Sequence, residues 1–137
     1  MDIPQIEELF FLEYNELKYR GIAFDGDHFY LTEKNNIHKY NLSMKKVCVI
    51  QTYRCFTSIC YDSYLDCFWA LADNDKYVYR LNSKLCEIDR MSLSCSYGNA
   101  TGISCSINGE RLIITADENI YSVSKCNCIN IININTI

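Results

Sequence analysis

Gly21-Ile22-Ala23-Phe24-Asp25 returns along the chain as Ser58-Ile59-Cys60-Tyr61-Asp62 and again as Gly102-Ile103-Ser104-Cys105-Ser106. The three starts, at positions 21, 58 and 102, lie 37 and 44 residues apart. After each copy comes a turn and then an apolar run that stops at an acid: Phe29-Tyr30-Leu31-Thr32-Glu33, Trp69-Ala70-Leu71-Ala72-Asp73 and Ile113-Ile114-Thr115-Ala116-Asp117. A third segment follows in each copy, Ile37–Asn41, Val78–Asn82 and Ile120–Ser124, and a fourth closes it, Val47–Ile50, Leu85–Ile88 and Cys128–Ile131.

Self-similarity at this period decides architecture before any single motif does, and four short strands in a repeat of this length are the sequence signature of a β-propeller blade. The expected fold is therefore all-β: three four-stranded blades, half of a propeller. The repeats run over about 19–53, 54–96 and 97–137, with an extra strand near 9–14, Leu9-Phe10-Phe11-Leu12-Glu13-Tyr14. The second strand is apolar on both faces, with Trp69 and Leu71 on one and Phe68, Ala70 and Ala72 on the other. Stacking between two neighbouring blades requires this. Asp25-Gly26 and Asn108-Gly109 supply hairpin turns between first and second strands. Composition agrees: the chain of 137 residues is 49% hydrophobic and holds 11 Tyr and 6 Phe, enough apolar and aromatic matter for one β-rich core.

The pattern Gly-Ile-x-x-Asp, apolar strand, acidic turn, Ile-x-x-Tyr resembles the blades of NHL and TolB-like propellers, which usually have six blades. The likeness spans about residues 19 to 131 and carries no catalytic signature. Ser106 departs from it, standing where Asp25 and Asp62 stand in the other repeats.

Two groups of residues are candidates for a site. Glu33, Asp73 and Asp117 recur at the end of the second strand. On one rim they form an acidic ring for a cation or a basic peptide; within their own hairpins they are acceptors for turn N–H groups. The segments entering each blade, Tyr19-Arg20, Tyr53-Arg54 and Tyr97-Gly98, fall on the same rim. Tyr and Arg suit recognition because they combine contact area with directed hydrogen bonds; the alternative is that the tyrosines cover blade seams. His28 aligns with Phe68 and Leu112, a packing position.

The sequence assigns no catalytic residue, no metal ligand and no cofactor. Its only histidines are His28 and His38, and it has neither a Gly-x-Ser-x-Gly nor a phosphate-binding glycine loop. The expected function is a non-enzymatic binding or interaction module whose rim recognises a protein or a small ligand. The resemblance implies one alternative, a metal-dependent, lactonase-like hydrolase with a site on the propeller axis of a dimer; a purely structural subunit is the other. Three blades do not close a ring alone, so the expected partner is a second copy, giving a six-bladed homodimer.

A net charge of -4 and a pI near 5.1 argue against nucleic acid and anionic membranes as partners. The acidic start, Met1-Asp2-Ile3-Pro4-Gln5-Ile6-Glu7-Glu8, lacks the basic and apolar character of a secretory leader, which points to the cytoplasm. There the nine cysteines, none in a Cys-x-x-Cys pair, act as small buried hydrophobes. Thiol titration of the native protein should count few reactive groups, and titration after denaturation all nine. Thiols that stay protected until a reductant is added would contradict the assignment.

Overall fold

The computed structural model describes residues 18–93, 100–106, 109–117, 119–125 and 132–133. Their strands form three four-stranded antiparallel sheets. Blade 1 holds β1 (Ile22–Phe24), β2 (Phe29–Glu33), β3 (Asn36–Tyr40) and β4 (Lys46–Gln51); blade 2 holds β5 (Phe56–Asp62), β6 (Cys67–Ala72), β7 (Tyr77–Leu81) and β8 (Glu87–Ser92). Blade 3 holds β9 (Ala100–Cys105), β10 (Arg111–Ala116), β11 (Asn119–Ser124) and β12 (Ile132–Asn133). Each sheet runs in sequence order, and the first strands of successive blades lie side by side. The expected strand near 9–14 lies outside the described residues. No helix among those residues is long and apolar enough to cross a membrane.

Every residue of β6 is buried. Phe68, Ala70 and Ala72 pack towards blade 1 against Tyr30, Ile37 and Ala23, while Trp69 and Leu71 pack towards blade 3 against Leu112, Ile114 and Ala116. The two-faced apolar pattern of this strand is thus spent on two seams. Among the described residues, blade 1 has only one such seam. Its far face carries Ile22 and Phe24, 61% and 46% exposed, with Phe24 stacked on Phe29 at 4.6 Å.

The strand pairing corrects the sequence alignment by one residue. Gly21, Ser58 and Gly102 are equivalent, since they stand opposite Thr32, Leu71 and Thr115. Glu33 then shares its place with Ala72 and Ala116, and Asp73 and Asp117 share theirs with Lys34. The three acids are not one ring. His28 slips likewise: it stands across from Asp25, as Cys67 does from Asp62, and Phe29 takes the place of Phe68 and Leu112. The cause is the first hairpin, which is two residues shorter in blade 1 than in the others. Only glycine among its turn residues is left-handed, with Gly26 at φ 100.

The acids ending β5 and following β1 organise those hairpins. Asp25 Oδ1 accepts the N–H groups of Asp27 and His28, and Oδ2 accepts the Tyr30 hydroxyl. Asp62 Oδ1 accepts the N–H groups of Tyr64 and Leu65, and Oδ2 accepts the Trp69 indole N–H at 2.9 Å. Tyr30 and Trp69 are equivalent, opposite Ala23 and Cys60. In blade 3 that place belongs to Ile113, opposite Ser104, which has no polar group to satisfy. Ser106 serves the turn, its hydroxyl oxygen accepting the Arg111 N–H.

Asp62 also joins two blades. Lys125, beyond β11, places Nζ 2.5 Å from Asp62 Oδ2 and 2.6 Å from the Gly109 carbonyl, and both side chains of the pair are buried. Burial by itself would raise the Asp62 pKa, but the Lys125 ammonium, the indole and the Leu65 N–H outweigh it and hold the carboxyl below its ordinary value. A pKa lowered in the folded state stabilises above the unfolded value, about 3.9, and that stabilisation is lost as pH falls through the folded value. Asp62→Ala should cost about 3–5 kcal/mol at neutral pH, because it strands a buried ammonium, and Asp25→Ala about 1–3 kcal/mol. Urea denaturation between neutral pH and pH ~3 should show the gap between wild type and Asp62→Asn narrowing with acid; a constant gap would contradict this role.

Candidate functional site

One residue per blade, at the entry to its first strand, is placed on the same rim. In blade 2, Phe56 pairs with Ala72 and Ser58 with Leu71, leaving Thr57 as the extra residue of a bulge. In blade 3, Ala100 pairs with Ala116 and Gly102 with Thr115, leaving Thr101. Arg20 holds that place in blade 1, one residue before Gly21, with its N–H donating to the Thr32 carbonyl. A bulge re-aims one side chain without ending the strand. Gly21 is needed beside it, since a Cβ there would lie 3.1 Å from Ser58 Cα and 3.2 Å from the Thr57 carbonyl oxygen.

Arg20, Thr57 and Thr101 line a recess of about 390 Å³ with Ala100 and the β6–β7 turn, Asp73-Asn74-Asp75. Arg20 and Asp73 face each other across it at 3.9 Å, both side chains about half exposed. Asp75 is fixed from behind by the Tyr79 hydroxyl, which donates to Oδ2. Burial and that carboxylate push the Tyr79 phenol up to about 12, so it remains a donor. The recess therefore offers a guanidinium, two carboxylates, two hydroxyls and an amide. Groups of this kind are able to make hydrogen bonds and charge pairs with a polar molecule. The Thr57 hydroxyl donates to the Leu71 carbonyl at 3.4 Å, and the Thr101 hydroxyl lies 3.4 Å from that of Thr115.

The remaining sequence candidates lie elsewhere. Tyr19 turns away from the recess, its hydroxyl 2.7 Å from that of Tyr40 and its ring edge-on to His38. Glu33 is buried, 3.0 Å from His38 Nε2. Arg54 lies over the Tyr79 ring at 4.2 Å and reaches both carboxylate oxygens of Glu87 at 3.3 Å. Its neighbour Tyr53 is 98% exposed. Asp117 is exposed in the β10–β11 turn at φ 52, and Tyr97 lies outside the described residues. Arg20 and Asp73 are thus brought together, and the other five described candidates are not. Thr57, Thr101, Asn74 and Asp75 escaped the sequence reading; stepping back one residue from each repeat start finds the two threonines.

Among solved structures, the fold matches Kluyveromyces lactis Hsv2 over 87% of this chain and 37% of that one, at 13% identity and TM-score 0.64. It matches Kuenenia stuttgartiensis hydrazine synthase over 90% and 38%, at 9% identity and TM-score 0.65. It matches Myxococcus xanthus glutaminyl cyclase over 81% and 50%, at 8% identity and TM-score 0.69. These are β-propeller proteins. The fold is that of propeller blades. The chain spans half or less of each of these structures. Neither a protein-family model nor a curated protein matches its sequence, so the resemblance to NHL and TolB-like blades extends to architecture and no further.

Separating Arg54 from Tyr53 tests this placement. Arg54→Ala should lower stability by about 1–2 kcal/mol through loss of the ring contact and the carboxylate pair. Tyr53→Ala should stay within about 0.5 kcal/mol of wild type, since nothing packs on it. Equal effects in urea denaturation would show that Arg54 is not held as described.

Proposed function

We propose that this chain is a non-enzymatic binding module, a half-propeller that closes into a ring with a second copy of itself and offers its rim recess to a protein or a small polar ligand. The observation that carries the reading is the convergence of three blade entries, two of them bulged. Three blades each direct the residue at one repeat position, Arg20, Thr57 and Thr101, into one recess. Sheet packing does not require this, because the same strands would pair better without the extra residue.

The outer faces support closure with a second copy. Ile22 and Phe24 on blade 1 belong to a face that, in blade 2, is covered by a neighbour. At roughly 25 cal/mol per Å² of apolar surface, leaving two such faces in water is costly. A second copy presents its blade 3 to blade 1 and its blade 1 to blade 3. Against the expectation of buried thiols, only Cys67 is buried among the described cysteines, and Cys48 and Cys86 are exposed; the cytoplasm suits these thiols and those of Cys55, Cys60 and Cys105, all unbridged. The hydrolase alternative gains nothing from the site, since Glu33 is bonded to His38 inside blade 1 and Asp73 faces Arg20.

Light scattering over a wide concentration range should give twice the chain mass of 16.0 kDa. A folded monomer throughout would remove the ring. Arg20→Ala and Asp73→Ala, used as baits against an extract of the native organism, should lose a ligand or partner that wild type retains. Retention by both variants would move recognition away from the recess.

A further inference from the structure

We propose that Cys60 and Cys105 form a peroxide-responsive dithiol whose oxidation joins blades 2 and 3 by a disulfide. Cys60 lies on β5 and Cys105 on β9, in the first strands of adjacent blades, with their sulfurs 3.5 Å apart and both residues partly buried. Among the described residues no other thiol pair stands at such a distance. The contact is particular to this seam, because the equivalent places between blades 1 and 2 hold Ala23 and Tyr61. The two strands are already tied nearby, where the Ile103 N–H donates to Ser58 Oγ at 3.2 Å. Disulfide formation asks the sulfurs to close to roughly 2 Å.

The surroundings set the two thiols unequal roles. Either thiol can donate in this contact; with Cys60 as the donor, that bond and the nearby Lys125 ammonium lower the Cys105 pKa against burial and the Asp62 charge. As the donor in that bond, and buried, Cys60 is shifted upward. A low-pKa, partly exposed thiolate next to a second thiol is the arrangement of a redox-reactive cysteine with its resolving partner. The Cys105 thiolate attacks one oxygen of hydrogen peroxide; the O–O bond breaks, and the departing hydroxide takes up the proton that Cys105 had released, giving water and a sulfenic acid. Cys60 sulfur then attacks Cys105 sulfur. The S–S bond forms, the S–O bond breaks, and the leaving hydroxide combines with the Cys60 proton as a second water. Two thiols and one peroxide become one disulfide and two waters, with two electrons passing from sulfur to peroxide oxygen.

The test treats the full-length, reduced protein with stoichiometric hydrogen peroxide. Wild type should lose two hydrogens in intact mass, give a mapped Cys60–Cys105 link, and show a raised urea midpoint that dithiothreitol reverses. Cys60→Ser should stop at a sulfenic acid on Cys105 that dimedone captures. Cys105→Ser should consume peroxide roughly tenfold more slowly or less, as loss of the thiolate requires. Overturning results are a wild-type protein that accumulates sulfenic or sulfinic acid at Cys105 without the link, a link between other cysteines, or unchanged peroxide consumption by Cys105→Ser. The wild-type mass and midpoint decide the matter even if a variant does not fold.

Discussion

A β-strand with two apolar faces cannot stand at the surface, and β6 is such a strand. Its six residues are buried between blades 1 and 3, and each large side chain among them contributes about 1.5–3 kcal/mol by leaving water. Blade 2 is stable only as a middle layer. That constraint sets the seams, brings the first strands together and turns the blade entries towards one rim. It also defines by contrast the outer face of blade 1, where Ile22 and Phe24 occupy a surface of the same kind with no sheet of the described residues against it.

Polar groups fit into this packing by local accounting. Each first hairpin has a side-chain oxygen to serve its turn, and that oxygen is a carboxylate where the second strand brings a donor, Tyr30 or Trp69, and a hydroxyl where it brings Ile113. The bulges work in the opposite sense. They interrupt pairing at Thr57 and Thr101 and direct side chains into the recess beside Asp73. Turns secure the blade on one side, and the irregular entries supply the binding chemistry on the other.

The period, the number of blades and the two-faced second strand were legible because apolar alternation survives in all three repeats. The site was half legible. Arg20 and Asp73 are named by their chemistry and their rim position, but the acidic triad was an artefact of spacing: a first hairpin two residues shorter in blade 1 shifts Glu33 into the place of Ala72 and Ala116, where its carboxylate turns inward to His38. Arg54 looked like a twin of Arg20, yet it lies three residues too early to occupy the bulge and rests on Tyr79 instead. Thr57 and Thr101 carry no signal by residue type. Their role comes from the register, and pairing across a sheet is a property of two strands that one strand's sequence does not display.

The hydrogen bonding of Asp62 has a bearing on how these repeats can diverge. Its carboxylate serves the indole of Trp69, the ammonium of Lys125 and two turn N–H groups. Changing the acid first abandons a buried ammonium, and changing the tryptophan first opens a void in the seam with Leu112 and Ile114. Blade 3 occupies the far side of this barrier, with Ser106 and Ile113 in the two places at once. Single substitutions therefore reach that state only through a weakened protein, and the blades, though built on one pattern, are not interchangeable parts.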